Sequence, residues 1–196
     1  MIKLGLILIA CYLIGSVPFG YLLAKTRGVD IREHGSGNIG ATNVWRTIGP
    51  SAGLTVLILD ALKGFAAVYI GRLAGIDNFE LFSGMASLIG HAFPIYLGFK
   101  GGKIIATGAG VMFALAPLVT TIAVLIFAVI VAGFRYVSLG SIVAALSVPV
   151  SLFLFDYSHA YLAFGVVVAA FAVIKHIPNI KRLMAGTESR ITFGKK

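Results

Sequence analysis

IIATGAGVMFALAPLVTTIAVLIFAVIVAGF, residues 104–134, is an apolar run of roughly 31 residues with no charged side chain. As a single helix it would extend about 46 Å at 1.5 Å per residue, against a hydrocarbon core about 30 Å thick. Pro117 lies near its middle, without the N–H that a helix interior needs and with a ring that collides with the preceding turn. The run therefore predicts two short helices meeting at Pro117.

Five more apolar stretches surround this one, at about 4–24, 51–73, 79–98, 137–155 and 159–177. The chain of 196 residues is 59% hydrophobic and only 12% charged, with a mean hydropathy of +0.99. Soluble domains carry about 25% charged residues, so a soluble fold is excluded. Lipid offers no partner to a free peptide group, which leaves helices or a closed barrel. A barrel would alternate in polarity over segments of about 10 residues, and these runs are apolar on every face. The expected fold is an all-α polytopic integral membrane protein, one domain over 1–196, whose loops carry the polar motifs.

The net charge is +9, gathered in three places. Lys25, Arg27, Arg32 and Arg46 flank the first loop, and Lys100 and Lys103 mark another. Lys175, Lys181, Arg182, Arg190, Lys195 and Lys196 crowd the tail. By the positive-inside rule all three are cytoplasmic. Six crossings would put the tail on the wrong side, whereas splitting 104–134 gives about seven, some of them short, and restores agreement. No nucleic-acid partner is expected, since no soluble region remains to bind one. The run after Lys3 is too long for a signal peptide. Cys11 resembles a lipoprotein cleavage residue, but the apolar run continues past it, and as the single cysteine it has no internal disulfide partner.

The first loop reads RGVDIREHGSGNIGATNVWRTIGP, residues 27–50. Gly35-Ser36-Gly37-Asn38-Ile39-Gly40 matches the dinucleotide fingerprint formally, but no strand precedes it. Closely spaced glycines still let backbone N–H groups converge on an oxyanion. Ser36, Asn38, Thr42 and Asn43 add uncharged donors, and Arg46 adds a fork suited to phosphate. The bland alternative is a capped turn entering a helix. Further on, Gly90-His91-Ala92-Phe93-Pro94 leads through Phe99-Lys100-Gly101-Gly102-Lys103 to Ala106-Thr107-Gly108. This is not a Walker A loop, because Ile104 stands at the Ser/Thr position. It reads as a second phosphate site or as snorkelling lysines, and His91 as a general base or an interfacial histidine. Asp60 and Lys63, spaced i, i+3 within an apolar helix, predict a structural ion pair. The tail carries His176, Asn179, Lys181, Arg182 and Glu188, whose cations suit a phosphate or anionic headgroups. No metal or cofactor is expected.

On these motifs the chain resembles the bacterial membrane glycerol-3-phosphate acyltransferases that use acyl-phosphate as donor. Residues 35–43 with Arg46, residues 90–108, and residues 179–183 with Gly186 and Glu188 occur in the family's order over nearly the whole chain. One departure is Ile104, where the family often has glycine; it stiffens the loop and puts a backbone contact there in doubt. The resemblance implies seven helices in the bacterial inner membrane, N-terminus outside and C-terminus cytoplasmic. It also implies acyl transfer from acyl-phosphate to the 1-hydroxyl of glycerol 3-phosphate, with membrane lipids as surroundings and the acyl-phosphate-forming enzyme as an upstream partner. The His-x-x-x-x-Asp motif of soluble acyltransferases is absent, since Tyr96 lies five after His91.

Under that resemblance Ser36, Gly37, Asn38, Gly40 and Arg46 cradle the donor phosphate, with Thr107 nearby. Lys103, His176, Asn179 and Lys181 bind glycerol 3-phosphate, and His91 and Glu188 orient the loops or assist proton transfer. Thr42, Asn43, Lys100, Gly101, Gly102 and Arg182 complete the expected substrate-binding set. A transporter of phosphorylated metabolites is the rival reading, but it should show internal repeats and a midplane site, and the sequence shows neither.

Overall fold

The computed structural model of the chain describes residues 1–192; Lys195 and Lys196, two of the tail cations, lie outside the described residues. No strand occurs among the described residues. Among the described residues, four helices are long and apolar enough to cross a membrane, at Ile2–Lys25, Pro50–Arg72, Pro117–Phe134 and Val137–Leu154. A fifth span arises if the bent pair His159–Lys175 and Ile177–Met184 is one crossing. The expected break at Pro117 is present: one helix ends at Leu115 and the next begins at Pro117. The helices gather into two compact units, divided between Leu115 and Ala116.

The first unit begins with α1 (Ile2–Ser16) and α2 (Phe19–Lys25), one apolar span broken at Val17–Pro18. The apolar stretch at about 4–24 is thus one span that is not an even helix, because Pro18 has no N–H to continue the ladder. A 3-10 turn at Ile31–Glu33 and the short α3 (Ala41–Thr47) shape the first loop, and α4 (Pro50–Arg72) follows. Next come α5 (Phe79–Ala92) and α6 (Ile105–Leu115). The 79–98 stretch is α-helical only to Ala92, since Pro94 restricts the residue before it and ends the helix, and a 3-10 turn at Ile95–Leu97 follows.

In lipid the hydrophobic effect does not drive helices together, so small residues that permit close backbone approach do much of the work. Accordingly α1 packs on α5 and α4 on α6. A Cβ added at Gly110 would overlap the Ala61 carbonyl, and one at Gly90 the Tyr12 carbonyl. Beneath the first loop, Ala24, Ile31, Ile39, Val44, Ala52 and Val56 form a buried cluster, and Leu97 of the second loop packs against it. Both glycine-bearing loops therefore lie at one end of this unit.

The second unit comprises α7 (Pro117–Phe134), α8 (Val137–Leu154), α9 (His159–Lys175) and α10 (Ile177–Met184). Consecutive helices α7, α8 and α9 pack side by side. The tight turns between them place Arg135 and Asp156 in the left-handed region, at φ 62° and 53°. Pro178, in the first turn of α10, accompanies a 58° bend away from α9.

Replacing Gly110 by alanine should force α4 and α6 apart and cost about 1–3 kcal/mol, the usual range for overpacking. Thermal unfolding in detergent should show a lowered midpoint for Gly110→Ala; an unchanged midpoint would mean that this contact does not hold the unit.

Candidate functional site

The first loop is organised around one amide. Asn43 is 2% exposed, and its Oδ1 accepts the Ser36 N–H at 2.9 Å. Its Nδ2 donates to the carbonyls of His34 and Asn38 at 2.9 Å each, with Ile31 O at 3.2 Å. The sequence suggests Asn43 as a donor to substrate. It is turned inward instead and holds the loop's curve, because an asparagine at this bend can satisfy both kinds of backbone group at once. Gly35 and Gly37 take positive φ of 60° and 69°, which a side chain would resist. Asn38 accepts from the Gly40 N–H at 2.9 Å, an Asx turn that leads into α3. Around this frame Ser36, Gly37 and Arg46 are exposed, and Asn38, Gly40 and Thr42 half-buried.

Upstream, Arg32 grips Asp30 with both Nε (2.9 Å) and a terminal nitrogen (2.6 Å) and stacks over the Tyr21 ring at 4.8 Å. The guanidinium hydrogen bond, together with the charge, lowers the Asp30 carboxyl to about 2.

The second loop folds back on the end of α5. The His91 carbonyl accepts the Gly102 N–H at 3.0 Å, and Phe99 N–H donates to Pro94 O at 2.9 Å. The Gly102 backbone lies so close to the His91 ring that a Cβ there would overlap its Nε2. Behind this ring sits the expected ion pair: Lys63 Nζ is 2.7 Å from Asp60 Oδ1, each side chain 3% exposed. Lys63 also donates to Val17 O at 2.9 Å, a carbonyl at the break between α1 and α2. Lys100 is exposed, Gly101 and Lys103 half-buried, and Gly102 buried. Thr107, expected beside the donor phosphate, is fully buried on α6, and its Oγ1 has no hydrogen-bond partner among the described residues. Ile104 is 1% exposed at φ 61°. A β-branched residue is strained there, in the left-handed region that favours glycine.

In the second unit Glu188 returns from the tail and is buried. Its Oε1 accepts from Ser138 Oγ at 2.8 Å and Asn179 Nδ2 at 2.7 Å, and its Oε2 from Arg182 Nε at 2.7 Å. Burial alone would raise this carboxyl. The bonds from Asn179, Ser138 and Arg182, with the Arg182 charge, outweigh it and hold the group below its ordinary value. The tail is fastened further by Ile191 N–H to Arg135 O at 2.8 Å and by Arg190 against the Tyr136 ring. His176 is buried at the α9–α10 bend, with Nδ1 2.8 Å from Ala172 O, and Lys181 is exposed.

Three anchoring groups are not legible in the sequence motifs. Ser138, the Tyr12 hydroxyl bonded to Phe93 O at 2.9 Å, and the Val17 carbonyl all hold candidate site residues in place. Nothing local distinguishes Ser138 from other serines on apolar helices.

Comparison with known proteins gives the arrangement its relatives. The glycerol-3-phosphate acyltransferase family profile matches residues 5–186. The chain belongs to this family. A glycerol-3-phosphate acyltransferase of Desulforudis audaxviator is 50% identical over 94% of this chain and 93% of its own. One of Desulforamulus reducens is 52% identical over 95% and 94%. The crystal structure of PlsY (YgiH), an integral membrane glycerol 3-phosphate acyltransferase in its glycerol 3-phosphate form, has a TM-score of 0.92. It shares 43% identity over 97% of this chain and 96% of that one. Like that relative, this chain is an integral, multi-pass membrane protein.

Because the Glu188 carboxyl is lowered from its ordinary 4.5, its stabilising effect is complete above that value and fades as pH falls through the lower folded value. The wild type should therefore exceed Glu188→Gln in unfolding midpoint by a constant margin near neutrality, and the margin should shrink in acid below pH 4.5. A margin that widens on acidification would contradict the clasp.

Proposed function

We propose that this chain transfers a fatty acyl group from acyl-phosphate to the 1-hydroxyl of glycerol 3-phosphate, releasing lysophosphatidate and inorganic phosphate. The observation that carries the acceptor and the reaction class is membership of the acyltransferase family along nearly the whole chain. The donor rests on the loops themselves. An acyl-CoA would need a platform for a large adenine nucleotide, yet the polar loops are short and Trp45 is the only tryptophan.

Acyl-phosphate is a mixed anhydride with a good leaving group already in place. The protein's task is to hold anions, align a hydroxyl with the carbonyl and stabilise the charge that develops. Ser36, Gly37, Asn38, Gly40 and Arg46 are assigned to the donor phosphate, on a loop curved by Asn43, and Lys103 to the phosphate of glycerol 3-phosphate. In the second unit His176, Asn179, Lys181 and Arg182 form an anion-binding end whose order depends on Glu188. No cofactor is called for, and the phosphate oxygens of the donor can accept the hydroxyl proton. Both units serve one acyltransferase domain, with seven crossings of a bacterial inner membrane in which α5 and α6 count as short spans. The enzyme that makes acyl-phosphate is then the natural upstream partner.

Purified protein given palmitoyl-phosphate and glycerol 3-phosphate should release phosphate and form lysophosphatidate. Comparable rates with acyl-CoA free of acyl-phosphate would overturn the choice of donor. Arg46→Ala and Lys103→Ala should each lower kcat/KM roughly 100-fold, because each removes about 3 kcal/mol of charge-assisted hydrogen bonding to phosphate. Cys11 is buried against Ala67 O, remote from the loops in sequence, and Ser36 lacks a histidine–carboxylate relay in the sequence around it. Transfer is therefore direct. Intact mass after incubation with acyl-phosphate alone should show unmodified protein, and an adduct that chases to product would contradict this.

Topology is open to labelling. In a Cys11→Ala background, cysteines placed at Arg27 and at Lys196 should both be shielded in intact cells. Labelling of the tail alone would mean an even number of crossings.

A further inference from the structure

The proposed function uses Lys103 but leaves unexplained why two charges, Asp60 and Lys63, are buried within α4. The geometry gives them an address. Asp60 Oδ1 lies 2.7 Å from Lys63 Nζ and 3.7 Å from His91 Nδ1, with the His91 side chain 5% exposed. The other ring nitrogen of His91 faces Gly102, at a distance too close for any side chain on that residue. The His91 carbonyl accepts the Gly102 N–H at 3.0 Å, and Gly102 immediately precedes Lys103.

We infer that Asp60, held in place by Lys63, is a positioning residue that sets the Lys-Gly-Gly-Lys loop through the His91 ring. A carboxylate at membrane depth is costly unless compensated, so the pair is fixed in one geometry by its own electrostatics. A contact of 3.7 Å between Asp60 and His91 is longer than a hydrogen bond, but in a low-dielectric interior it still gives the imidazole edge a preferred orientation. Because Gly102 packs directly against the opposite edge, a rotated ring displaces the Gly102 backbone and carries Lys103 with it. His91 on this account touches the loop rather than the reacting atoms, so it is not the proton acceptor.

The inference rests on the proposed acyl transfer, and the two can fail separately. Removing one charge alone leaves its partner buried and risks unfolding, so the variant of choice is the paired replacement Asp60→Leu/Lys63→Met, which fills similar volume. Its KM for glycerol 3-phosphate should rise about 10–100-fold, the scale of losing one charge-assisted phosphate contact, with kcat nearly unchanged. His91→Gln should raise the same KM, and adding it to the paired replacement should raise KM no further, because both break one chain of contacts. Gly140→Ala, which crowds α8 against Val131 and Phe127 of α7 far from Asp60 and His91 in the chain, should leave KM unchanged and controls for reduced stability. If the paired variant does not fold, His91→Gln and Gly102→Ala decide: each should raise KM, and together no more than the larger of the two. An unchanged KM, a fall in kcat alone, or effects that multiply would overturn the positioning role. Turnover by the wild type with a normal KM in these variants sinks only this inference, whereas a wild type without turnover overturns it together with the function.

Discussion

The contact between Asp60 and Lys63 is the constraint on which the first unit depends. Two charges lie inside helices that face lipid, where an isolated charge would cost several kcal/mol. Neither is idle beyond the pair. Lys63 reaches the Val17 carbonyl at the break between α1 and α2, and Asp60 faces the histidine on which the second loop is folded. The pair thus lies against the break that precedes α2 and against the base of the second loop, and the hydrophobic cluster beneath the first loop receives Leu97 of the second. Breaking either half would leave an uncompensated charge and cost about 3–5 kcal/mol, as for other buried pairs.

The second unit solves a related problem with a carboxylate outside the membrane. Glu188 draws Ser138, Asn179 and Arg182 onto its two oxygens, closing the tail over α10 and the start of α8. Residues proposed for anion binding in both units are thus held in place by buried polar partners, Asn43 in the first loop and Glu188 in the tail. That arrangement suits the proposed reaction, whose donor is already activated. Such chemistry asks mainly for rigid placement of cations and N–H groups, and rigid placement is what Asn43, Asp60 and Glu188 supply.

Much of this is legible in the sequence, for reasons that differ from residue to residue. Pro117 announces its break because the surrounding run is too long to be one span. Pro18 and Pro94 break or end helices without announcing it, since the apolar runs around them are of ordinary length. Lys63 and Asp60 are readable as a pair from spacing alone, but their reach to Val17 and His91 depends on helix packing that no local pattern encodes. Asn43 looks like its neighbours Ser36 and Asn38. Only the three-dimensional turn shows that its amide faces inward while Ser36 remains exposed. Ser138 is beyond any local reading, because its importance derives entirely from a glutamate fifty residues later.

If the buried pair governs both loops, the loops should respond together to its removal. Hydrogen exchange of the paired replacement Asp60→Leu/Lys63→Met, compared with wild type in the same detergent, measures this directly. The account predicts faster exchange at the amides of residues 35–43 and of residues 100–103 alike, with the second unit unaffected. Faster exchange confined to α4, or to only one of the two loops, would contradict it.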